Sequence, residues 1–134
     1  MEHKEVFWLG MTAAMTAIVW VPYVLNRFVE LGIWSSIADP GADLTPKAVW
    51  AGRLMNAHKN AIENLVVFAS LVLALAVLDV STPATGMAAM IYFYARLGHI
   101  AMQTFGVPVA RTLMFLAGFG AQMVLAFALL GAIS

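Results

Sequence analysis

The sequence predicts an all-α integral membrane protein that forms an antiparallel four-helix bundle. Of its 134 residues, 63% are hydrophobic and only 10% are charged, whereas soluble domains contain about half apolar and about a quarter charged residues. A hydrocarbon core of about 30 Å takes about 20 helical residues to cross, so four crossings use about 80 residues and leave short connections. The chain is therefore expected to lie almost wholly within the bilayer.

The first helix is expected over residues 6–28. Its apolar run is longer than the core of a signal peptide, and no convincing soluble domain follows it, so we expect an uncleaved membrane helix. The polar stretch 32–45 is the one aqueous connection that the sequence predicts. At its end, Thr45 and Pro46 resemble an N-cap followed by proline at the first helical position.

The remaining helices are expected over residues 47–78, 84–105 and 109–133, joined by tight turns with Gly and Pro. The second would be about 48 Å long, which exceeds the hydrocarbon thickness, so it must tilt or protrude. Basic residues flank the first and third connections, so these two loops should face the cytoplasm and both termini the opposite side. The residues counted are Arg27, Lys47, Arg53 and Arg111, against Lys4 alone on the other side.

Charge and cysteine content exclude several classes of function. Seven basic and seven acidic residues cancel, and no run of Lys and Arg forms a basic patch, so nucleic acid is excluded as a partner. The chain has no Cys, which removes thiolate metal sites and a cysteine nucleophile. Any thiol chemistry must therefore come from a substrate.

Two polar stripes run along the predicted membrane helices. On the second helix, Arg53, Asn56, Asn60 and Glu63 fall within an arc of roughly 80°. Exposing such charges to lipid at a helix centre would cost about 2.5 to 3.5 kcal/mol each, so the stripe should face protein or a water-filled cleft. His58 points the opposite way and reads more simply as a packing or interfacial residue.

The third helix carries the second stripe, because Arg96, His99 and Gln103 share one face. Arg111 lies in the first turn of the fourth helix, where a cation opposes the helix dipole unless an anion lies nearby. These residues favour an anion site. The structural alternative is a buried ion pair of Glu63 with Arg53 or Arg96 that fixes the helix register.

The segment 53–68, RLMNAHKNAIENLVVF, resembles the second-helix signature of the MAPEG family, the membrane-associated proteins in eicosanoid and glutathione metabolism. Arg96-Leu-Gly-His99 looks like the third-helix motif of that family, and Arg111-Thr112 looks like the opening of its fourth helix. The resemblance covers essentially the whole chain, 1–134, as a single transmembrane domain. It implies a homotrimer with glutathione clefts between subunits, open toward the cytoplasm.

The resemblance also implies roles for individual residues. Arg111, assisted by Thr112, would stabilise the thiolate of glutathione, the cosubstrate, and no metal is expected. A lipophilic electrophile would enter from the membrane lipids, and a glutathione transferase or peroxidase of a bacterial inner membrane is the expected protein. Glutathione would be held by Arg27, Arg53, Asn56, Asn60, Glu63, Arg96, His99 and Gln103.

Other functions remain open at this point. Asn56, Val67, Gln103 and Phe115 depart from residues usual in the family. The departures at Asn56, Gln103 and Phe115 favour a binding or structural protein of the same fold without turnover. A small multidrug transporter is a second alternative, although Glu63 lacks an aromatic cage for a cationic drug. A haem protein ligated by His58 and His99 is a third.

Overall fold

The computed structural model describes residues 3–134. Its helices are α1 (Lys4–Ile18), α2 (Trp20–Leu31), α3 (Ile33–Ile37), α4 (Val49–Val77), α5 (Pro83–Phe105) and α6 (Pro108–Ile133). Short turns join α4 to α5 and α5 to α6, so consecutive long helices run antiparallel. The structure is the all-helical antiparallel bundle that the sequence predicts.

Four long helical segments form this bundle. Within residues 3–134, three segments are long and apolar enough to span a bilayer, namely Lys4–Leu31, Val49–Val77 and Pro108–Ile133. The fourth segment, α5, is 23 residues long, or about 35 Å at 1.5 Å per residue. It packs against α1, α4 and α6. Since these neighbours cover it, α5 can carry more polar residues than a helix that faces lipid.

The first crossing is two helices, where the sequence predicts one helix over residues 6–28. The break falls at Val19, which ends α1 and precedes α2. Pro22 explains it: proline has no N–H to donate to the carbonyl of Ile18, and its ring crowds that carbonyl. The helical hydrogen-bond pattern is therefore interrupted near the middle of the first span.

The core between α4, α5 and α6 is closely packed. The rings of Phe68 and Tyr92 stack with centroids 3.9 Å apart, and both residues are fully buried. Gly118 of α6 faces Arg96 of α5, and a Cβ there would lie 3.6 Å from the Cδ atom of Arg96, an ordinary van der Waals contact. A charged side chain is therefore packed in the interior between α5 and α6.

The connection after α2 differs from the prediction. It contains the short helix α3, and α4 begins at Val49 with Ala48 as its N-cap residue, so the predicted cap at Thr45 and Pro46 is wrong. The carboxylate of Glu30 accepts hydrogen bonds from the backbone N–H groups of Lys47 (2.8 Å) and Ala48 (3.1 Å). A distant carboxylate supplies the acceptors at this helix start, which local sequence rules do not detect.

At the opposite end of the bundle, Glu5 ties α1 to the start of α5. Its buried carboxylate accepts hydrogen bonds from the hydroxyls of Thr85 (2.6 Å) and Ser81 (2.9 Å). Thr82 and Thr85 also form a reciprocal capping box. A carboxylate at a helix N-terminus is favourable because it faces the positive end of the helix dipole.

We expect Glu5→Ala to destabilise the bundle by about 1 to 3 kcal/mol, because the hydroxyl of Thr85 loses its buried acceptor. The thermal midpoint of helix loss in detergent measures the effect. Glu5→Gln, which keeps a carbonyl acceptor, is the matched control and should lose less. Equal midpoints for the parent and the Ala variant would contradict the assignment.

Candidate functional site

Arg96 is the buried cation of the bundle, with 2% of its surface exposed. Its Nη2 atom donates to the side-chain oxygen of Asn60 at 2.5 Å. Its Nε atom is buried without a hydrogen-bond partner. An amide oxygen is neutral, so this contact orients the guanidinium but does not cancel its charge. Within residues 3–134 the hydrogen-bond partner of Arg96 is thus Asn60 and not Glu63.

A chain of amide groups supports this contact. The side chain of Asn64 donates to the backbone oxygen of Asn60 (2.9 Å), and Gln122 of α6 donates to the backbone oxygen of Asn64 (3.3 Å). The hydroxyl of Tyr92 lies buried nearby without a partner. Polar groups therefore connect α4, α5 and α6 within the membrane-spanning part of the bundle.

Toward the end of α5, the second stripe reaches the surface. His99 is buried, and its Nδ1 atom has no partner. Gln103 accepts a hydrogen bond from Nη1 of Arg111 at 3.2 Å. Arg111 is exposed in the first turn of α6. The neighbouring Thr112 donates its hydroxyl to the backbone oxygen of Pro108.

Phe115 of α6 lies beside Arg96 and His99 of α5. Its ring centroid lies 6.0 Å from the guanidinium carbon of Arg96 and 6.0 Å from the imidazole of His99. Arg96, His99, Gln103 and Arg111 therefore occupy one continuous face between α5 and α6, as the sequence predicts for the first three. Both arginines meet amide oxygens, which leaves their positive charge available to an anion.

The stripe on α4 is divided by the fold. Asn60 is half-buried, whereas Arg53, Asn56 and Glu63 are exposed on the single chain. Within residues 3–134 no ion pair shields these exposed side chains. Glu63 lies at the middle of α4, where lipid contact is most costly for a charge.

Arg53 lies over the end of α5. Gly106 ends that helix in the left-handed conformation, with φ of 73°, and a Cβ there would overlap the guanidinium of Arg53. A cation at a helix C-terminus faces the negative end of the helix dipole. Arg53 therefore stabilises the turn between α5 and α6 as well as adding charge to the surface.

Arg27 and Asn56 line a separate cavity of about 390 Å³ between the end of α2, the connection and α4. The Nε atom of Arg27 is buried there without a partner. Thr45 also lines this cavity, and its hydrogen bonds hold the pKa of the Asp43 carboxyl below the usual value. The single chain thus separates these two predicted site residues from those between α5 and α6.

His58 has a packing role, on the face opposite the stripe. The hydroxyl of Tyr23 lies 2.8 Å from its Nδ1 atom, and its Nε2 atom lies 3.0 Å from the backbone oxygen of Thr16. Because both ring nitrogens are engaged, His58 is not free to ligate a haem iron. Among residues 3–134, no group of three or more His, Asp or Glu side chains is arranged to hold a metal ion.

Sequence reasoning missed three contributors to this site. Gln122 stands alone in an apolar helix, and its contact with Asn64 depends on the packing of α6 against α4. In the sequence, Tyr92 is typical of an ordinary core residue, and Gly106 is typical of an ordinary turn residue. A polar residue within an apolar span was the available signal for Gln122.

The fold and the site together define an integral membrane protein with a cationic, amide-lined site built inside its helices. The family model described as MAPEG family matches residues 6–131, nearly the whole chain. The chain belongs to the MAPEG family, whose members are glutathione-related transferases or peroxidases, or proteins of eicosanoid synthesis. No curated protein and no solved structure matches it.

We expect Gly106→Ala to destabilise the protein by about 1 to 3 kcal/mol, because Ala must adopt a left-handed backbone and displace Arg53. Thermal unfolding in detergent measures the loss. Gly131→Ala is the matched control, since a Cβ there meets open space. A loss at position 131 as large as that at position 106 would contradict this account of the turn.

Proposed function

We propose that the protein is a glutathione transferase or peroxidase that acts on lipophilic electrophiles. The observation that carries the proposal is the pair of arginines, Arg96 and Arg111, each oriented by a neutral amide oxygen. A guanidinium that lies inside a membrane protein without a carboxylate partner favours an anionic ligand. Glutathione has two carboxylates, and its thiol becomes a third anion when it ionises.

The polar residues include binding partners for both the carboxylates and the ammonium group of glutathione. Arg forks pair with carboxylates, while a carboxylate such as Glu63 can hold the ammonium group. His99 and Arg96 add buried nitrogens without partners, Nδ1 and Nε, that a polar ligand can bond. The proposed binding residues are Arg27, Arg53, Asn56, Asn60, Glu63, Arg96, His99 and Gln103.

A homotrimer would complete this site. Arg53, Asn56 and Glu63 are exposed on the single chain, and a neighbouring copy would remove them from lipid. The cost of exposing charge to hydrocarbon supports this assembly.

The proposed chemistry begins with ionisation of the bound thiol. A free thiol has a pKa of about 8.5, and a neighbouring cation lowers it, so Arg111 would hold the thiolate with help from the hydroxyl of Thr112. In conjugation, the thiolate sulfur attacks an electrophilic carbon and a carbon–sulfur bond forms. The leaving group departs with the bonding electrons, and the thiol proton passes to water.

The second substrate would reach the site from the membrane. The outer faces of the spans are apolar and exposed, so a lipophilic molecule dissolved in lipid needs no aqueous path. The distribution of basic residues supports a cytoplasmic position for the first and third connections, where soluble glutathione would enter. We place the protein in a bacterial inner membrane.

We expect glutathione to give the purified protein a thiolate absorbance at about 240 nm. At a pH below the pKa of the bound thiol, Arg111→Ala should reduce it by up to about tenfold, because loss of the cation raises that pKa by about one unit. Difference spectroscopy in detergent measures it. Lys47→Ala removes an exposed cation outside the site and is the control. No thiolate in the parent protein would refute the proposed activation.

Asn60→Ala should weaken glutathione binding about tenfold, because Arg96 loses the acceptor that orients it and about 1.4 kcal/mol of binding energy. Equilibrium binding to detergent-solubilised protein measures the dissociation constant. Ser70→Ala, on the same helix, removes an exposed hydroxyl that bonds only its own helix. If both variants bind alike, Asn60 does not position the site.

A protein of this family that binds without turnover is the second candidate. The contact of Gln103 with Arg111 favours it, because this amide occupies one of the N–H groups that would otherwise face a thiolate. Conjugation of glutathione to a generic aryl halide separates the two functions. Product above the uncatalysed rate supports the enzyme, and binding without product supports the second candidate.

A further inference from the structure

The short helix α3 has its polar and apolar sides reversed relative to a helix in water. Ile33, Trp34 and Ile37 are 64%, 76% and 61% exposed, whereas Ser36 is 8% exposed. Positions i, i+1 and i+4 share one face of a helix, so the outward face presents the three large apolar side chains together.

Hydrogen bonds fix this reversed orientation. The hydroxyl of Ser36 donates to the backbone oxygen of Gly32 at 2.7 Å and approaches that of Arg27 at 3.4 Å. Among the helices of the described chain, α3 contacts only α2. Its apolar face is thus turned away from the bundle and toward the surroundings.

The position of α3 identifies those surroundings. Leu31 ends the first membrane span, and α3 follows after one residue, so it lies at the level where hydrocarbon meets headgroups. Trp34 is of the residue type enriched at that level, because its ring is apolar and its N–H is polar. Phe105, at the same end of the bundle, is 75% exposed and places a second large apolar side chain near this depth.

The rest of the connection holds α3 close to this level. Glu30 binds the backbone of Lys47 and Ala48, so both ends of the connection are fastened beside the end of α2. The exposed acids Asp39 and Asp43 lie beyond α3 and suit the aqueous side. The connection therefore has an apolar part next to the span and a charged part away from it.

We propose that α3 is an interfacial anchor that inserts Ile33, Trp34 and Ile37 into the lipid leaflet at this end of the bundle. Interfacial helices bind bilayers in this way, with the apolar face among the acyl chains and the polar face toward water or protein. The anchor fixes the depth of the connection that lines the cavity beside Arg27. It is independent of the proposed glutathione chemistry.

Fluorescence quenching of a single tryptophan tests the proposal. Trp8→Phe, Trp20→Phe and Trp50→Phe together leave Trp34 as the only fluorophore of its kind in protein reconstituted into phosphatidylcholine vesicles. We expect strong quenching by lipids brominated near the headgroup end of the acyl chain and weak quenching by aqueous iodide. The control protein carries Trp34→Phe and Gly41→Trp in addition to the three substitutions. Its single tryptophan then lies in the exposed turn, where iodide should quench it.

Iodide quenching of Trp34 without bromolipid quenching would overturn the proposal by placing α3 in water. Protection from both quenchers would also overturn it, because another protein surface would then cover the helix.

A second measurement does not need the triple tryptophan variant. The chain has no Cys, so Ile37→Cys and Gly41→Cys each add a single thiol. In vesicles, the thiol of Ile37→Cys should react with a charged maleimide roughly ten times more slowly than that of Gly41→Cys, because lipid shields it. Equal reaction rates of the two variants would refute the anchor.

Discussion

The guanidinium of Arg96 is the constraint on which the rest of the structure depends. A buried cation in a membrane bundle is costly unless polar groups meet it, and in this chain the amide oxygen of Asn60 does so. Asn64 and Gln122 bond the backbone next to that contact and extend the polar chain across α4 and α6. Gly118 packs against the aliphatic part of the Arg96 side chain. Because these partners are neutral, the fold preserves a positive charge inside the bilayer.

The single chain presents parts of a site that assembly would join. One part lies between α5 and α6, where Arg111 meets Gln103. Another is the cavity beside Arg27 and Asn56, and a third is the exposed face of α4 that carries Glu63. In the proposed function these parts together would bind glutathione, and a second copy beside α4 would remove the charge of Glu63 from lipid.

Much of this arrangement could be predicted from the sequence, because membrane helices and their polar faces follow from local periodicity. The face shared by Arg96, His99 and Gln103 follows from helical spacing alone. The hydrogen bond from the backbone of Lys47 to Glu30 could not be predicted, since it joins residues 17 positions apart. The short helix α3 was not predicted either, because it lies in a stretch dominated by turn residues. The contact of Gln122 depends on how α6 packs, which no local pattern encodes.

The most direct test is a cryo-EM structure of the assembled protein prepared with glutathione. The account predicts a tripeptide with a carboxylate within hydrogen-bond distance of Arg96 and its sulfur beside Arg111. A protein carboxylate, such as Glu63 of a neighbouring copy, in direct contact with Arg96 and no ligand beside it would contradict the account. The charge preserved by the amides would then serve assembly and not binding.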